Sequence, residues 1–222
     1  MINFLLKIKL LRKCKTFPTS NGMTYVELIV VLSIFAVMSS IVMFNYSGFQ
    51  AKIDIKNLAS DIALKVVQAQ KSSLSGFLPP ATEQYSRSNV DTWKPSYGVY
   101  FDITSDSNKR SFVYFVDLDY TTPPQNGFFD GSGSGCTFEC IEQITMTRGD
   151  YISSLEVFYQ DNFVPEGLND LTISFSRPNS GAVIKSSTVF SGIISYVQIT
   201  ISTPNSTTAK IKLYPSGRIQ VN

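Results

Sequence analysis

The chain of 222 residues contains no histidine and only three cysteines. Without histidine there is no Ser-His-Asp or Cys-His catalysis, and the commonest general base is missing. The glycine-rich stretch Gly131–Gly135 is not followed by Lys-Ser/Thr and a helix, so it predicts a flexible loop and not a phosphate-binding site. These absences argue against an enzyme, and we expect none.

Acidic residues are missing from the first 22 residues, where five basic residues lie, and an uncharged apolar run follows from Leu28 to Phe44. The segment from Met23 to Phe44 would form a helix of roughly 33 Å, enough to cross a hydrocarbon core of about 30 Å. The basic residues on the amino-terminal side of this segment predict a cytoplasmic amino terminus and an exported carboxyl terminus. The basic residues are Lys7, Lys9, Arg12, Lys13 and Lys15.

Three interpretations of this segment are open. A secretory signal peptide would have a shorter apolar region with a small-residue cleavage site after it. Ala36 and the Ser39-Ser40 pair offer such a site only poorly, because the apolar residues continue to Phe44. A plain uncleaved anchor is the second interpretation. The third starts from Glu27, a lone carboxylate at the mouth of the apolar run, since ionisable groups in such places are costly and usually functional.

Gly22, Glu27, the apolar run and the basic leader together resemble the class III signal of type IV prepilins and type II secretion pseudopilins. The resemblance implies that a prepilin peptidase cuts between Gly22 and Met23 and methylates the new amino terminus of Met23. Glu27 then becomes the fifth mature residue. Met23 stands where phenylalanine is usual, and Tyr25 where the family more often has an aliphatic residue.

Glu27 has two explanations. A glutamate near a helix amino terminus is favoured by the helix dipole, by about 0.3–1 kcal/mol. In a filament, its carboxylate could instead pair with the α-amine of Met23 on an adjacent subunit. A slip of register would leave both charges unpaired at a cost of several kcal/mol, so we expect Glu27 to fix filament register.

The predicted leader includes Cys14, so the mature chain keeps Cys136 and Cys140. Two cysteines in an exported domain predict a disulfide. A metal site would need more ligands than two thiolates, and the lack of histidine argues against zinc.

The amphipathic pattern of one long helix continues beyond the apolar run. Apolar residues recur at three- and four-residue steps, and they form one stripe. We predict a single helix from about Thr24 to Ser73, whose second half packs on a globular domain. The stripe consists of Ile55, Leu58, Ala59, Ile62, Val66 and Ala69.

Segments rich in aromatic and β-branched residues, several of them alternating apolar with polar, predict strands from Tyr97 onward. Residues 196–202 and 209–213 predict a hairpin around 203–207, and residues 215–217 a turn into a last strand over 218–221. The other predicted strands are 97–102, 111–117 and 171–176. The fold class is therefore α+β, with a long N-terminal helix on a mostly antiparallel sheet.

Several of these segments are similar to the H-type minor pseudopilins and their type IV pilus relatives, the GspH/FimT family. The resemblance implies a pilin-like fold with a cleaved leader 1–22, a transmembrane or filament-core helix 23–50 and an extracytoplasmic domain 51–222. It implies a low-abundance subunit at or near a filament tip. Its partners would be other subunits, the prepilin peptidase, the inner-membrane assembly platform and secreted cargo or DNA.

A loop rich in aspartate suggests a possible cofactor. Asp117 and Asp119 open it, and Asp130 comes near its end after an Asn-Gly pair. Calcium binds six to eight oxygens, and three carboxylates with carbonyls could supply them. The spacing does not fit an EF-hand, and the same residues are common in ordinary turns. A calcium site and a bare turn are both open.

Charge is distributed unevenly along the chain. Beyond the leader the side chains sum to −3, yet residues 171–222 contain five basic residues and no acid. Lys210 and Lys212 are two apart on one predicted strand, so they share a face, with Ile211 and Leu213 on the other. Together with Arg218 they could protect an exposed sheet edge. Alternatively, they form a polyanion site that contacts phosphates without reading bases, and the chain serves DNA uptake or adhesion.

Overall fold

The computed structural model describes residues 22–79, 95–118, 126–131, 136, 139–161 and 164–222, without the side chains of Asn45 and Ser47. The basic residues of the predicted leader lie outside these ranges. The chain divides into two compact units, Met1–Tyr46 and Ser47–Asn222.

A single helix, α1, runs over Tyr25–Ser75, and its 51 residues confirm the predicted element. Thr24 caps its first turn: the Thr24 Oγ1 accepts a hydrogen bond from the Glu27 backbone N–H at 3.3 Å. Gly76, directly after the last helical residue, adopts φ +64°. There the N–H of Phe77 donates to the Ser72 carbonyl at 3.0 Å and that of Gly76 to Ser73 at 3.1 Å, the bond pair of a Schellman motif.

Within the described residues, ten strands form two five-stranded sheets in which every strand pair is antiparallel. The first sheet has the order β3-β2-β1-β6-β7, and the second β10-β9-β8-β4-β5. The helix and the antiparallel sheets confirm the α+β class. The strands are β1 Ser96–Asp102, β2 Ser111–Asp117, β3 Cys140–Thr145, β4 Tyr151–Tyr159, β5 Glu166–Leu168, β6 Asp170–Phe175, β7 Val183–Lys185, β8 Ile194–Ser202, β9 Thr208–Leu213 and β10 Ile219–Val221.

One hydrophobic core joins residues 55–69 of α1 to the inward faces of both sheets. Five of the six residues of the predicted stripe are at most 1% exposed, and Leu58 packs beside them half-buried. The inward residues of β8 and β9, Val197, Ile199, Ile201, Ile211 and Leu213, are also at most 1% exposed. Burial of the stripe against strands is what fixes this part of the helix, because tertiary packing supplies most helical stability in proteins.

The predicted strands are all present, and the predicted hairpin joins β8 to β9. Four further strands, β3, β4, β5 and β7, were not predicted. β4 contains a register shift between Ile152 and Ser154, which interrupts the apolar–polar alternation that marks a strand.

Apolar and polar residues alternate in β6, yet its polar side chains are buried. Thr172 is 0% and Ser174 2% exposed. Ser174 Oγ donates to the Gly127 carbonyl at 3.1 Å, so the segment 126–131 covers this face of the first sheet. A second small core lies here, formed by Val113, Phe115, Phe129 and Cys140.

Candidate functional site

The predicted cleavage position lies just before α1. Gly22 and Met23 are exposed, Met23 by 59%, and a side chain built on Gly22 would meet no atom within 4 Å. The described part of the chain therefore leaves the peptide bond between Gly22 and Met23 open to approach.

Glu27 lies in the first turn of α1, where its charge faces the positive end of the helix dipole. The bond from its N–H to Thr24 Oγ1 forms half of a capping box, the Thr-x-x-Glu arrangement at helix starts. This capping role was missed in the sequence, although the spacing alone could have indicated it. The observed cap is made by the Thr24 side chain with the Glu27 backbone as donor, so the register role of the Glu27 carboxylate stays a prediction.

The apolar part of α1 is long enough to cross a membrane, and none of its most apolar stretch is buried within the protein. Its large side chains are well exposed, for example Phe35 by 69%, Val42 by 68% and Phe44 by 83%. Among the described residues this makes a contiguous apolar surface larger than soluble monomers usually expose.

Cys136 and Cys140 form a disulfide, with Cα atoms 5.0 Å apart. Cys140 begins β3 and pairs with Phe115 of β2, so the bridge holds Cys136 next to the first sheet. In the second, smaller core, the ring centroids of Phe129 and Phe115 lie 5.4 Å apart.

Two of the predicted calcium ligands have protein partners. Asp117 is fully buried, and its Oδ2 accepts the Gly127 N–H at 2.7 Å. Asp130 Oδ2 accepts from Asn126 Nδ2 at 3.0 Å. Asp119 lies outside the described residues, and within them no group of three ligating side chains could hold a metal ion. Calcium binding here stays a prediction.

A buried carboxylate that the sequence did not reveal, Glu139, organises this loop. It is 3% exposed, and it accepts the Leu118 N–H at 2.8 Å and the Asp130 N–H at 2.9 Å. Burial raises the pKa of Glu139 to about 7, against the lowering effect of these two bonds; Asp117 and Asp130 raise it further.

The three predicted polyanion ligands lie on the outward face of the second sheet, which we call the cationic row. Ile211 and Leu213 point inward, as predicted. Lys212 Nζ lies 4.6 Å from the Tyr196 ring centroid, and the Arg218 guanidinium carbon 4.0 Å from that of Tyr214.

One expectation about this row is wrong. β9 pairs with both β8 and β10, so Lys210 and Lys212 lie on the sheet face and cannot protect an edge. The ring centroids of Tyr196 and Tyr214 also lie 5.6 Å apart, and the Tyr196 ring stacks on that of Phe158 with centroids 4.5 Å apart. Their ring faces are therefore occupied by protein groups, which disfavours base stacking on them.

Comparison of the chain with protein-family models, with curated proteins and with solved structures finds no match.

Proposed function

We propose that the chain is a minor pilin or pseudopilin. It is a non-enzymatic structural subunit that joins or caps a type IV pilus-like or type II secretion filament. The observation that carries the proposal is the order of features at the start of the described chain. An exposed Gly22–Met23 bond is followed by a capped helix with Glu27 in its first turn and then by the uncovered apolar surface.

Each feature has a role in this function. The prepilin peptidase cuts after Gly22 and methylates Met23. The apolar part of α1 then holds the subunit in the inner membrane with its carboxyl-terminal domain outside, until the assembly platform transfers it to the filament. There the same surface packs among the helices of other subunits, and Glu27 pairs with a neighbouring amine, which fixes register.

Amino-terminal sequencing and intact mass of the membrane-bound protein test the proposal. We expect a mature chain that begins at N-methyl-Met23 in cells with a prepilin peptidase. In cells without the peptidase we expect the full precursor. A mature start after Ala36 or Ser40, or an unprocessed Met1 beside an active peptidase, contradicts the proposal.

A second candidate function, a pilin-like subunit for DNA uptake or adhesion, is favoured by the cationic row. Lys210, Lys212 and Arg218 share one sheet face, and no acid occurs in residues 171–222. Three cations neutralise few phosphates, so binding would be weak and strongly dependent on salt. Loss of DNA binding at low salt in the triple alanine variant at these positions would support this function over a purely structural one.

A further inference from the structure

An acidic cavity of about 250 Å³ lies within the Ser47–Asn222 unit, where α1 meets the turn between β3 and β4. Asp54 and Asp61 reach it from the helix, and Arg148 and Asp150 from the turn. With one cation against three carboxylates, the charged side chains that line it sum to −2. The sequence does not indicate this cluster, because its two halves are about 90 residues apart in the chain.

Only one of the three carboxylates has a partner. Asp54 forms an ion pair with Arg148 and accepts a hydrogen bond from Gln50 at 2.9 Å. Asp61 is exposed, and Asp150 is 6% exposed. Within the described ranges, the structure gives no hydrogen bond or ion pair to either side-chain carboxylate. The Asp150 oxygens are not among the buried, unpaired side-chain atoms of the described residues, so the carboxylate meets solvent in the cavity. A cation that enters the cavity would therefore lie close to it and favour its charged form.

The electrostatics of Asp150 agree with this reading. Burial raises the pKa of Asp150, and the nearby Asp54 raises it further, while Arg148 lowers it. The charge of Arg148 is thus insufficient to offset burial and the second carboxylate. An additional cation in the cavity would stabilise the ionised form of Asp150.

The shape of the site indicates which kind of cation fits. No three carboxylates of the described chain are close enough to hold a metal ion. Asp54 and Asp61 are seven positions apart on α1, about 10.5 Å along the helix axis. The cavity therefore suits a cation that pairs with one or two of these carboxylates, such as the ammonium of a lysine on its long stem.

The cationic row supplies a matching surface. Lys210 is exposed, and the described structure gives its Nζ no hydrogen bond, ion pair or ring contact. Lys212 and Arg218 continue the row across β9 to the turn before β10. The one acid on this face of β4, Glu156, already accepts a hydrogen bond from Gln198 at 2.8 Å. None of the row's residues lines the acidic cavity of the same copy.

We propose that the cationic row of one copy docks on the acidic cavity of a second copy, with Lys210 entering beside Asp61 and Asp150. The two surfaces are different, so the contact is head-to-tail, and it continues as an open helical array unless its rotation closes a ring. This inference rests on the proposed function and names the contact that the external domains would make in the filament. A polyanion bound to the row would compete with it.

Disulfide trapping of the full chain in membranes tests the contact. A chain with Asp61→Cys and Lys210→Cys, and with Cys14→Ser, is oxidised in cells that carry the assembly machinery. We expect a ladder of multimers on non-reducing gels, about tenfold stronger than in a control with Asp61→Cys and Val189→Cys. Val189 is 89% exposed and lies outside the row. Co-expressed single-cysteine chains should yield dimers and no ladder.

Charge reversal provides the second arm. Lys210→Glu should strongly reduce co-purification of two differently tagged copies, and Lys210→Glu with Asp61→Lys should restore it. Absence of the ladder, or no rescue by the exchanged pair, overturns the contact. The amino terminus of the protein is sequenced in the same samples. A mature Met23 without a ladder leaves the proposed function standing, whereas an unprocessed precursor contradicts that function whether or not the ladder forms.

Discussion

At the scale of single residues, Glu139 couples the stability of the fold to pH. Burial raises the pKa of the Glu139 carboxyl from its ordinary value of 4.5 to about 7 in the folded protein. Between these values the folded state binds more protons than the unfolded state, so stability falls as pH rises. The full loss is on the order of 3 kcal/mol, and it is complete once the pH passes 7.

We therefore expect the free energy of unfolding in urea to decrease from pH 5 to pH 7. Glu139→Gln should flatten that decrease, because the amide does not ionise. Glu142→Gln is the matched control: its side chain is 51% exposed and pairs with Lys65 at 2.7 Å. It should keep the slope of the wild type. An unchanged slope in Glu139→Gln contradicts the assignment.

Glu27 combines two effects that different substitutions separate. Glu27→Gln keeps a capping side chain in the first turn but removes the charge, whereas Thr24→Ala removes the cap and costs about 1 kcal/mol. If the charge fixes register, Glu27→Gln is cleaved normally and fails to enter filaments, while Thr24→Ala enters them. Fractionation of sheared filaments and membranes measures this. Normal incorporation of Glu27→Gln would refute the register role.

At the scale of elements, the turn between β9 and β10 depends on Gly217. It adopts φ +84°, and a Cβ there would lie 2.6 Å from Gln70 Nε2 and 2.7 Å from the Ser180 carbonyl oxygen. Gln70 Nε2 donates to that same carbonyl at 2.7 Å, so the turn sits where α1 meets the segment after β6. Only glycine fits both the backbone conformation and this close approach.

Gly217→Ala should destabilise the protein by about 1–3 kcal/mol, through backbone strain and through displacement of the Gln70 hydrogen bond. Gly167→Ala is the control, because a Cβ at Gly167 in β5 would meet nothing within 4 Å and its φ is ordinary. Thermal unfolding monitored by circular dichroism compares the two. Equal melting temperatures for both variants would show that the turn tolerates a side chain.

At the scale of the whole molecule, residues 55–69 of α1 and both sheets share one core. Ile62 is 0% exposed in that core, whereas Leu64, two positions along the same helix, is 64% exposed. We expect Ile62→Ala to cost about 2–5 kcal/mol and Leu64→Ala no more than about 0.5 kcal/mol. In Ile62→Ala, amide exchange should accelerate together in α1 and in β8. Acceleration in the helix alone would mean that the sheets form a separate cooperative unit.

The membrane-length helix, its amphipathic extension and most strands were determined by local sequence. The spacing of apolar residues indicates which face of an element is buried. The buried faces of residues 55–69 and of the β8–β9 hairpin could therefore be predicted from the sequence alone. The four missed strands lack this signal: β5 and β7 have three residues each, β4 has a register shift, and β3 has largely half-buried side chains.

The chemistry of the Ser47–Asn222 unit was decided only by tertiary structure. Glu139 becomes a buried carboxylate because the backbone N–H groups of residues 118 and 130 meet it. Asp150 lines a cavity with Asp54 and Asp61 because the turn after β3 folds onto a part of α1 that is far away in sequence. Local sequence sets which groups are charged. How much water surrounds each charge depends on contacts between distant segments, and that solvation determines its energy.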